Sequence, residues 1–362
     1  MQPPPGGPPD AAPPKIVSVF PDSGTVAEGL DDAAVFRFDE VIDERSGGGL
    51  DRLVTVSPVP EEVEIDWKRS AIAVRPKGGW RRGVVYHITL LPGILDLRNN
   101  RLAEGRTIVF TTGGPLPNAR ITGTVVDWEA GRLAPRARVE GILLPDSLVY
   151  VTLADSTGSF TLSTIPVGTY LVVAAVDANN NRRREPREPF DSATVQVDSL
   201  VDHVFWAFRQ DTLGPQLARA TLLDSVTVRI EFNQALPPAD PDSGSVQMAV
   251  LPDSVPVAVE AVWRESVYDS VKTAARGRPD TAAADTTRIG PGAAPAARDT
   301  ARAAQILRQR PKLSTNLIVR TASPLAAGTR YLITATARNL IGATATSRTV
   351  LVIPPRAESP PR

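Results

Sequence analysis

The chain has no cysteine, which excludes thiol nucleophiles, thiolate zinc sites and any disulfide framework. It has two histidines among its 362 residues. Imidazole chemistry therefore rests on His87 and His203, and each lies in an alternating strand-like run with no nucleophile elbow or metal-ligand spacing beside it. No stretch approaches the ~20 apolar residues of a membrane-spanning helix. Nor does the amino terminus show a basic region followed by an apolar run, so the chain as given reads as soluble, any signal peptide belonging to a longer precursor. Lysine and arginine balance aspartate and glutamate at 40 each. No global field is left to hold nucleic acid or an anionic membrane, and the basic clusters Arg81–Arg82 and Arg182–Arg184 are too short to supply one.

What the chain does have is turn-forming residues, 34 prolines and 26 glycines, spread through a sequence that is 42% hydrophobic. At ~150 residues per domain its length implies two or three units. "MQPPPGGPPDAAPP", residues 1–14, has no apolar periodicity to offset its ordering entropy and reads as a disordered tether. From 15 to 113 the runs "AAVFRFDEV", "VEIDW", "AIAVRP", "VVYHITLL" and "TIVFTT" alternate with period two between turn signals. This is the pattern of an antiparallel β-sandwich. In "VVYHITLL" it turns Tyr86, Ile88 and Leu90 inward and His87 and Thr89 outward.

A second, smaller sandwich spans 119–209, with Gly158 and Gly168 between its short strands. The third unit, 211–354, repeats the first: "SVTVRIEFNQAL" parallels "DAAVFRFDEVI", and "RYLITATARNLIGATA" follows the course of "VVYHITLLPGILDLRNN". It is interrupted at about 266–311 by a segment poor in large apolar residues. We read that segment as a disordered insertion in which "DTARAAQILRQR" has the composition of a short helix. Residues 355–362 read as a second disordered tail. The fold class is all-β, tandem sandwiches flanking a smaller one.

One loop carries candidate chemistry. In "DANNNRRREPRE", Asp177, Asn179, Asn181, Glu185 and Glu188 occupy positions 1, 3, 5, 9 and 12 of a twelve-residue loop, and Arg183 would add a backbone carbonyl at position 7. That is the oxygen spacing of an EF-hand-type calcium loop. Against it, Arg182 stands where such loops place glycine, and Arg182, Arg183, Arg184 and Arg187 outnumber the three carboxylates. The alternative is a solvated turn whose asparagines bond to local backbone and whose arginines pair with the glutamates. A bound ion would be held at about 10⁻⁴ M or more weakly. Calcium is the one candidate cofactor, and none is required.

The remaining residues carry less. Asp39, Glu40, Asp43 and Glu44 include enough carboxylates for an acid and base pair but read as a charged strand end. Trp67, Trp206 and Trp263 sit in apolar strands and read as core. Trp80, in "KGGWRRG", reads as an exposed contact in a turn.

Residues carry family likenesses as well. "PPKIVSVFPDSG", "FRFDEVID", "VTVSP" and "VVYHITLLPGILDLRNNRLAEGRTIVFTTG" resemble the bacterial Ig-like domain of the S-layer SbsA type, and the third unit resembles it more weakly. "ITGTVVD" with Gly158, Phe160, Leu162, Ile165, Pro166, Gly168 and Tyr170 resembles the carboxypeptidase regulatory-like, transthyretin-like module, in which these residues are structural. The order of units, with "GGPPD" ahead of the first, resembles envelope lipoproteins of Bacteroidota-like and Gemmatimonadota-like bacteria. Those proteins carry a lipid-modified cysteine just upstream that this chain lacks. The resemblance implies a non-enzymatic, exported protein of the cell envelope or surface, structural or adhesive. Its expected partners are envelope proteins or polysaccharide, with no nucleic acid, and it meets a membrane only through a lipid anchor absent from this sequence. A carbohydrate- or polymer-binding accessory protein is the first rival, and a hydrolytic enzyme the second.

Overall fold

Period-two alternation becomes β-strand wherever one face has a core to enter, and the computed structural model, which describes residues 11–275 and 295–355, is built almost wholly in this way. Residues 1–10, 276–294 and 356–362 lie outside the described residues, and with them most of the expected tether and tail and the middle of the insertion. Pro14, the last residue of the tether, is buried.

The first sandwich contains β1 (Ile16–Phe20), β2 (Thr25–Val26), β3 (Ala34–Phe38), β4 (Val54–Ser57), β5 (Val63–Trp67), β6 (Ala71–Pro76), β7 (Val85–Leu90) and β8 (Arg106–Thr111). Its two sheets run β1-β3-β6-β5 and β2-β8-β7-β4. Between them lie Phe36, Ile42, Ile72, Ile108 and Phe110 with Tyr86, Ile88 and Leu90, the three side chains that alternation turned inward. Each such burial contributes about 1.5–3 kcal/mol.

The middle sandwich holds β9 (Ala119–Asp127), β10 (Arg132–Leu133), β11 (Arg138–Leu144), β12 (Leu148–Leu153), β13 (Ser159–Ile165), β14 (Gly168–Ala175), β15 (Phe190–Val197) and β16 (Leu200–Ala207). One sheet runs β10-β9-β13 with β16 also on β9, and the other β12-β11-β14-β15. Phe160, Leu162, Ile165 and Tyr170 fill its core, and the Tyr170 hydroxyl donates to the Pro166 carbonyl at 2.7 Å. Gly158 has φ +71°, and a Cβ there would meet the Val125 carbonyl at 2.8 Å, so both conformation and space require glycine.

The third sandwich comprises β17 (Leu217–Asp224), β18 (Thr227–Leu236), β19 (Val246–Leu251), β20 (Val255–Val257), β21 (Val259–Arg264), α1 (Glu265–Ala275), α2 (Pro295–Gln309), β22 (Ser314–Thr321), β23 (Arg330–Arg338) and β24 (Thr344–Val352). Its sheets, β17-β18-β22-β21 and β20-β19-β23-β24, enclose Phe232, Val319, Tyr331 and Ile333. The order repeats that of the first sandwich, and so do two local devices. The Tyr86 hydroxyl accepts from the Arg81 N–H at 2.9 Å, and that of Tyr331 accepts from the Ala326 N–H at 2.7 Å. Asp96 Oδ1 accepts from the N–H groups of Arg98 and Asn100, each at 2.8 Å. Asn339 Oδ1 likewise accepts from those of Ile341, at 3.2 Å, and Ala343, at 2.9 Å.

The insertion enters where the first sandwich has only the β5–β6 hairpin, closed by the Lys68 N–H to the Ala71 carbonyl. The expectation of disorder across 266–311 is corrected at its start, where α1 forms, while α2 covers most of the segment "DTARAAQILRQR" whose composition pointed to a helix. Alanine, arginine and glutamine favour helix without large apolar side chains, and Ala303 of α2 is buried. At the start of α1, Glu265 pairs with Arg229 at 2.7 Å and accepts from the Asn316 amide at 2.8 Å. No described helix is long and apolar enough to cross a membrane.

Backbone contacts divide the chain into two compact units, Met1–Val126 with Leu133–Ala207, and Asp127–Arg132 with Phe208–Arg362. Within the first unit, edge strand β4 meets edge strand β12. The Val59 N–H donates to the Val149 carbonyl at 2.8 Å, and the Val151 N–H to the buried Ser57 hydroxyl at 2.9 Å. Leu148 packs against both cores. His87, turned away from its own core, bonds through Nε2 to the Thr164 carbonyl at 3.2 Å, with the Tyr150 ring edge-on to it. Burial lowers the His87 pKa, and the Thr164 carbonyl partly offsets this.

Two outcomes are expected. Ser57→Ala orphans the Val151 N–H and should lower unfolding free energy by about 1–3 kcal/mol, read as a shift in urea midpoint without a change in slope. Because the His87 pKa is depressed in the fold, the unfolded chain binds the extra proton as pH falls below ~6.5, so His87's stabilisation is complete above that pH and is lost below it. Urea titrations from pH 7.5 to pH 5 should show a slope of up to ~1.4 kcal/mol per pH unit that His87→Gln removes.

Candidate functional site

The loop from Asp177 to Glu188 joins β14 to β15, so two neighbouring strands of one sheet fix its ends. Asp177 and Glu188, the first and last of the spaced residues, are buried, 9% and 6% exposed. Both Asp177 oxygens accept backbone N–H groups, from Asn181 at 3.1 Å and Arg182 at 2.8 Å. Asn179 Oδ1 accepts from the Asn181 N–H at 3.0 Å, and Asn181 Oδ1 from the Arg183 N–H at 2.8 Å. Glu188 closes the circle, accepting from the Ala178 and Glu185 N–H groups at 3.1 Å each. Glu185 accepts from both asparagine amides, at 3.2 Å from Asn179 and 2.7 Å from Asn181. The five spaced side chains are thus brought together in one ring of contacts.

Two sequence-level objections to a cation here change in the structure. Arg182 adopts φ +59°, the left-handed conformation for which such loops use glycine. It is held there because its N–H meets Asp177, its carbonyl accepts from Arg138 at 2.6 Å, and its guanidinium donates to the Arg52 carbonyl of the first sandwich. Burial lowers the Arg182 pKa and Asp177 partly restores it, while Arg136 adds to the lowering. Arg184 lies 3.8 Å from Glu140, outside the loop. Among the described residues no arginine of the loop forms an ion pair with Asp177, Glu185 or Glu188, so the expected arginine–glutamate pairing within the loop is corrected. The expected bonding of asparagine side chains to local backbone is present. Carboxylates and imidazoles alone nowhere gather as a metal-holding group of three among the described residues. Any ion in this loop would depend on the amide oxygens of Asn179 and Asn181 and the Arg183 carbonyl.

The aromatic assignments exchange places. Trp80 is not the exposed contact its glycine-rich surroundings predict. Its ring packs edge-on to Tyr86, with centroids 4.8 Å apart, and to Phe110 at 5.3 Å, and its Nε1–H donates to the Asp32 carbonyl at 2.9 Å. Trp67, expected in the core, is instead 36% exposed. It shares a face of β5 with Val63 and Ile65, which pack against the core, and stands at the strand's last position. Trp206 and Trp263 are half-buried.

Both histidines have close neighbours in the fold. His87 is engaged with Thr164, and His203 lies against the Phe205 ring with centroids 4.6 Å apart. Of the carboxylates near the end of β3, Asp39 accepts from the Lys15 N–H at 2.7 Å and Asp43 from the Arg45 N–H at 2.9 Å. Residues of the β4–β12 join, Ser57 and Val59 among them, carried no sequence signal beyond a strand end followed by proline.

Comparison with known proteins gives one family match. No curated protein matches the chain. Among solved structures it is similar to the amino-terminal part of the bacterial S-layer protein SbsC, at 16% identity and a TM-score of 0.21, over 53% of this chain and 45% of that one, less than half its length. It is similar to BcpA, the major pilin subunit of Bacillus cereus, at 12% identity and 0.20, over 54% and 71% of the two chains. It is also similar to alpha-2-macroglobulin from Escherichia coli, at 9% and 0.21, over 92% and 95%. The family match is to the first sandwich: residues 10–112 fit the model of a bacterial Ig-like domain.

Proposed function

We propose that the chain is a non-enzymatic, exported cell-surface protein with a structural or adhesive role, in which the sandwiches serve as spacers. The observation that carries this reading is the β4–β12 join, where the Val59 N–H to the Val149 carbonyl and the Val151 N–H to the Ser57 hydroxyl tie two sandwiches together beyond the chain segment that connects them. The bacterial Ig-like match over 10–112 supports it, as does the engagement of both histidines by a carbonyl and a ring. Protease treatment of intact cells of the source organism, followed by immunoblotting, tests the location: digestion from outside is expected, and protection until lysis would overturn it.

We propose further that the Asp177–Glu188 loop takes calcium, through Asp177, Asn179, Asn181, Glu185 and Glu188 with the Arg183 carbonyl. Its support is the convergence of these side chains, with Arg182 and Arg184 reaching Arg52 and Glu140 outside the loop. Because Arg182 also reaches the Arg52 carbonyl, an ordered loop would stiffen the join as well. Calorimetric titration of the metal-stripped protein should show saturable calcium binding at about 10⁻⁴ M or weaker. The double variant Asp177→Ala, Glu188→Ala should lose it. Absence of heat, with melting unchanged by calcium, would leave the loop a polar turn.

A further inference from the structure

We infer that the first sandwich carries a saccharide site, a groove beside the end of β5 that takes a pyranose ring of a neutral glycan on the face of Trp67. The groove is open, about 620 Å³, and is lined by Glu44, Arg45, Gly48, Gly49, Asp51 and Trp67, with Ile65 and Leu50 at its base.

The chemistry of these residues selects the ligand. A pyranose presents an apolar C–H face and a rim of hydroxyls that both donate and accept. An exposed indole offers a flat apolar and π surface for the first, and carboxylates and a guanidinium offer acceptors and donors for the second. Trp67 is the one tryptophan of the described residues whose ring stands this open. Its orientation is set before any ligand arrives, because Nε1–H donates to the Ile42 carbonyl at 3.0 Å. Such preorganisation lowers the entropic cost of binding. Glu44 and Asp51 are exposed, and among the described residues neither carboxylate makes a hydrogen bond or ion pair. The Arg45 guanidinium is likewise unengaged. Three polar groups with spare bonding capacity therefore line one groove with a fixed ring.

The opposite wall is equally preformed. Gly47, Gly48 and Gly49 have φ of +66°, +80° and +133°, and a side chain at Gly49 would collide with the Asp51 carboxylate. Glycine leaves that carboxylate free to lie along the groove. The fully buried Ser46 fixes the loop from beneath, donating to the Asp43 carbonyl at 2.6 Å and accepting from the Leu95 N–H at 2.8 Å. Openness suits an internal stretch of a polymer better than an enclosed small molecule, and Arg45 between the two acids disfavours a polycation. None of the groove's lining residues is a proposed calcium donor, so this proposal stands without that one.

The test is titration of the full chain with chitotetraose, cellotetraose, maltotetraose and mannotetraose, followed by tryptophan fluorescence and calorimetry, with tetralysine as the cationic probe. At least one tetrasaccharide should bind saturably. Trp67→Ala should weaken it by about tenfold or more, Trp67→Phe by less, and Glu44→Gln with Asp51→Asn several-fold. Thermal melting should confirm that each variant stays folded. Failure of all four sugars to bind up to about 10 mM, binding undiminished in folded Trp67→Ala, or saturation by tetralysine instead would overturn the inference.

Discussion

A sheet edge is a row of unpaired N–H and C=O groups, and an edge left bare invites pairing with other chains. In the first unit that liability becomes the joint: β4 of one sandwich and β12 of the next cover each other. Pro58 has no N–H to give, so the ladder is carried by Val59 on one side of it and by the Ser57 hydroxyl on the other. His87 and Arg182 extend the same logic, each placing a side-chain donor on a carbonyl across the join. The joint is therefore polar and directional. Its bonds specify one register between the sandwiches, which apolar packing through Leu148 alone would not do.

The third sandwich treats the equivalent edge differently. Its counterpart of β4 is β19, and β19 is covered by β20 from its own chain segment, with Pro256 and the exposed Val255 on the hairpin. One repeated topology thus yields an edge used for joining in the first copy and an edge closed on itself in the last. The repeat persists in two local devices, the tyrosine hydroxyl tied five residues back and the Asx side chain closing the turn after the same strand. It is relaxed where the fold tolerates length, and the helical insertion occupies a surface hairpin.

How much of this was legible in sequence can be judged residue by residue. Tyr86, Ile88 and Leu90 were readable as core because a strand has period two and one face must be buried. The loop's donors were readable as a set because their spacing is local, and the structure brings all five side chains together. What spacing could not show is where Arg182 and Arg184 send their charges, since Arg52 and Glu140 are distant in sequence. Trp80 was misassigned because a turn's composition does not show that Tyr86 and Phe110 meet its ring, and Trp67 because of what a strand pattern leaves out. Alternation says which face a side chain takes, but not whether the opposite sheet extends far enough to cover it.

The sequence by itself determined the all-β class, the alternation of each strand, the repeat of the first unit in the third, and the turns that demand glycine. All of these depend on contacts or conformations within a few residues, or on patterns that recur. Only the tertiary structure decided that the edges of β4 and β12 meet, that His87 faces a carbonyl rather than water, and that the insertion opens with a helix. It also decided that a tryptophan at the end of β5 stands open beside two unengaged acids. Those outcomes depend on which distant surfaces meet and on what each leaves unpaired, and no local period encodes that.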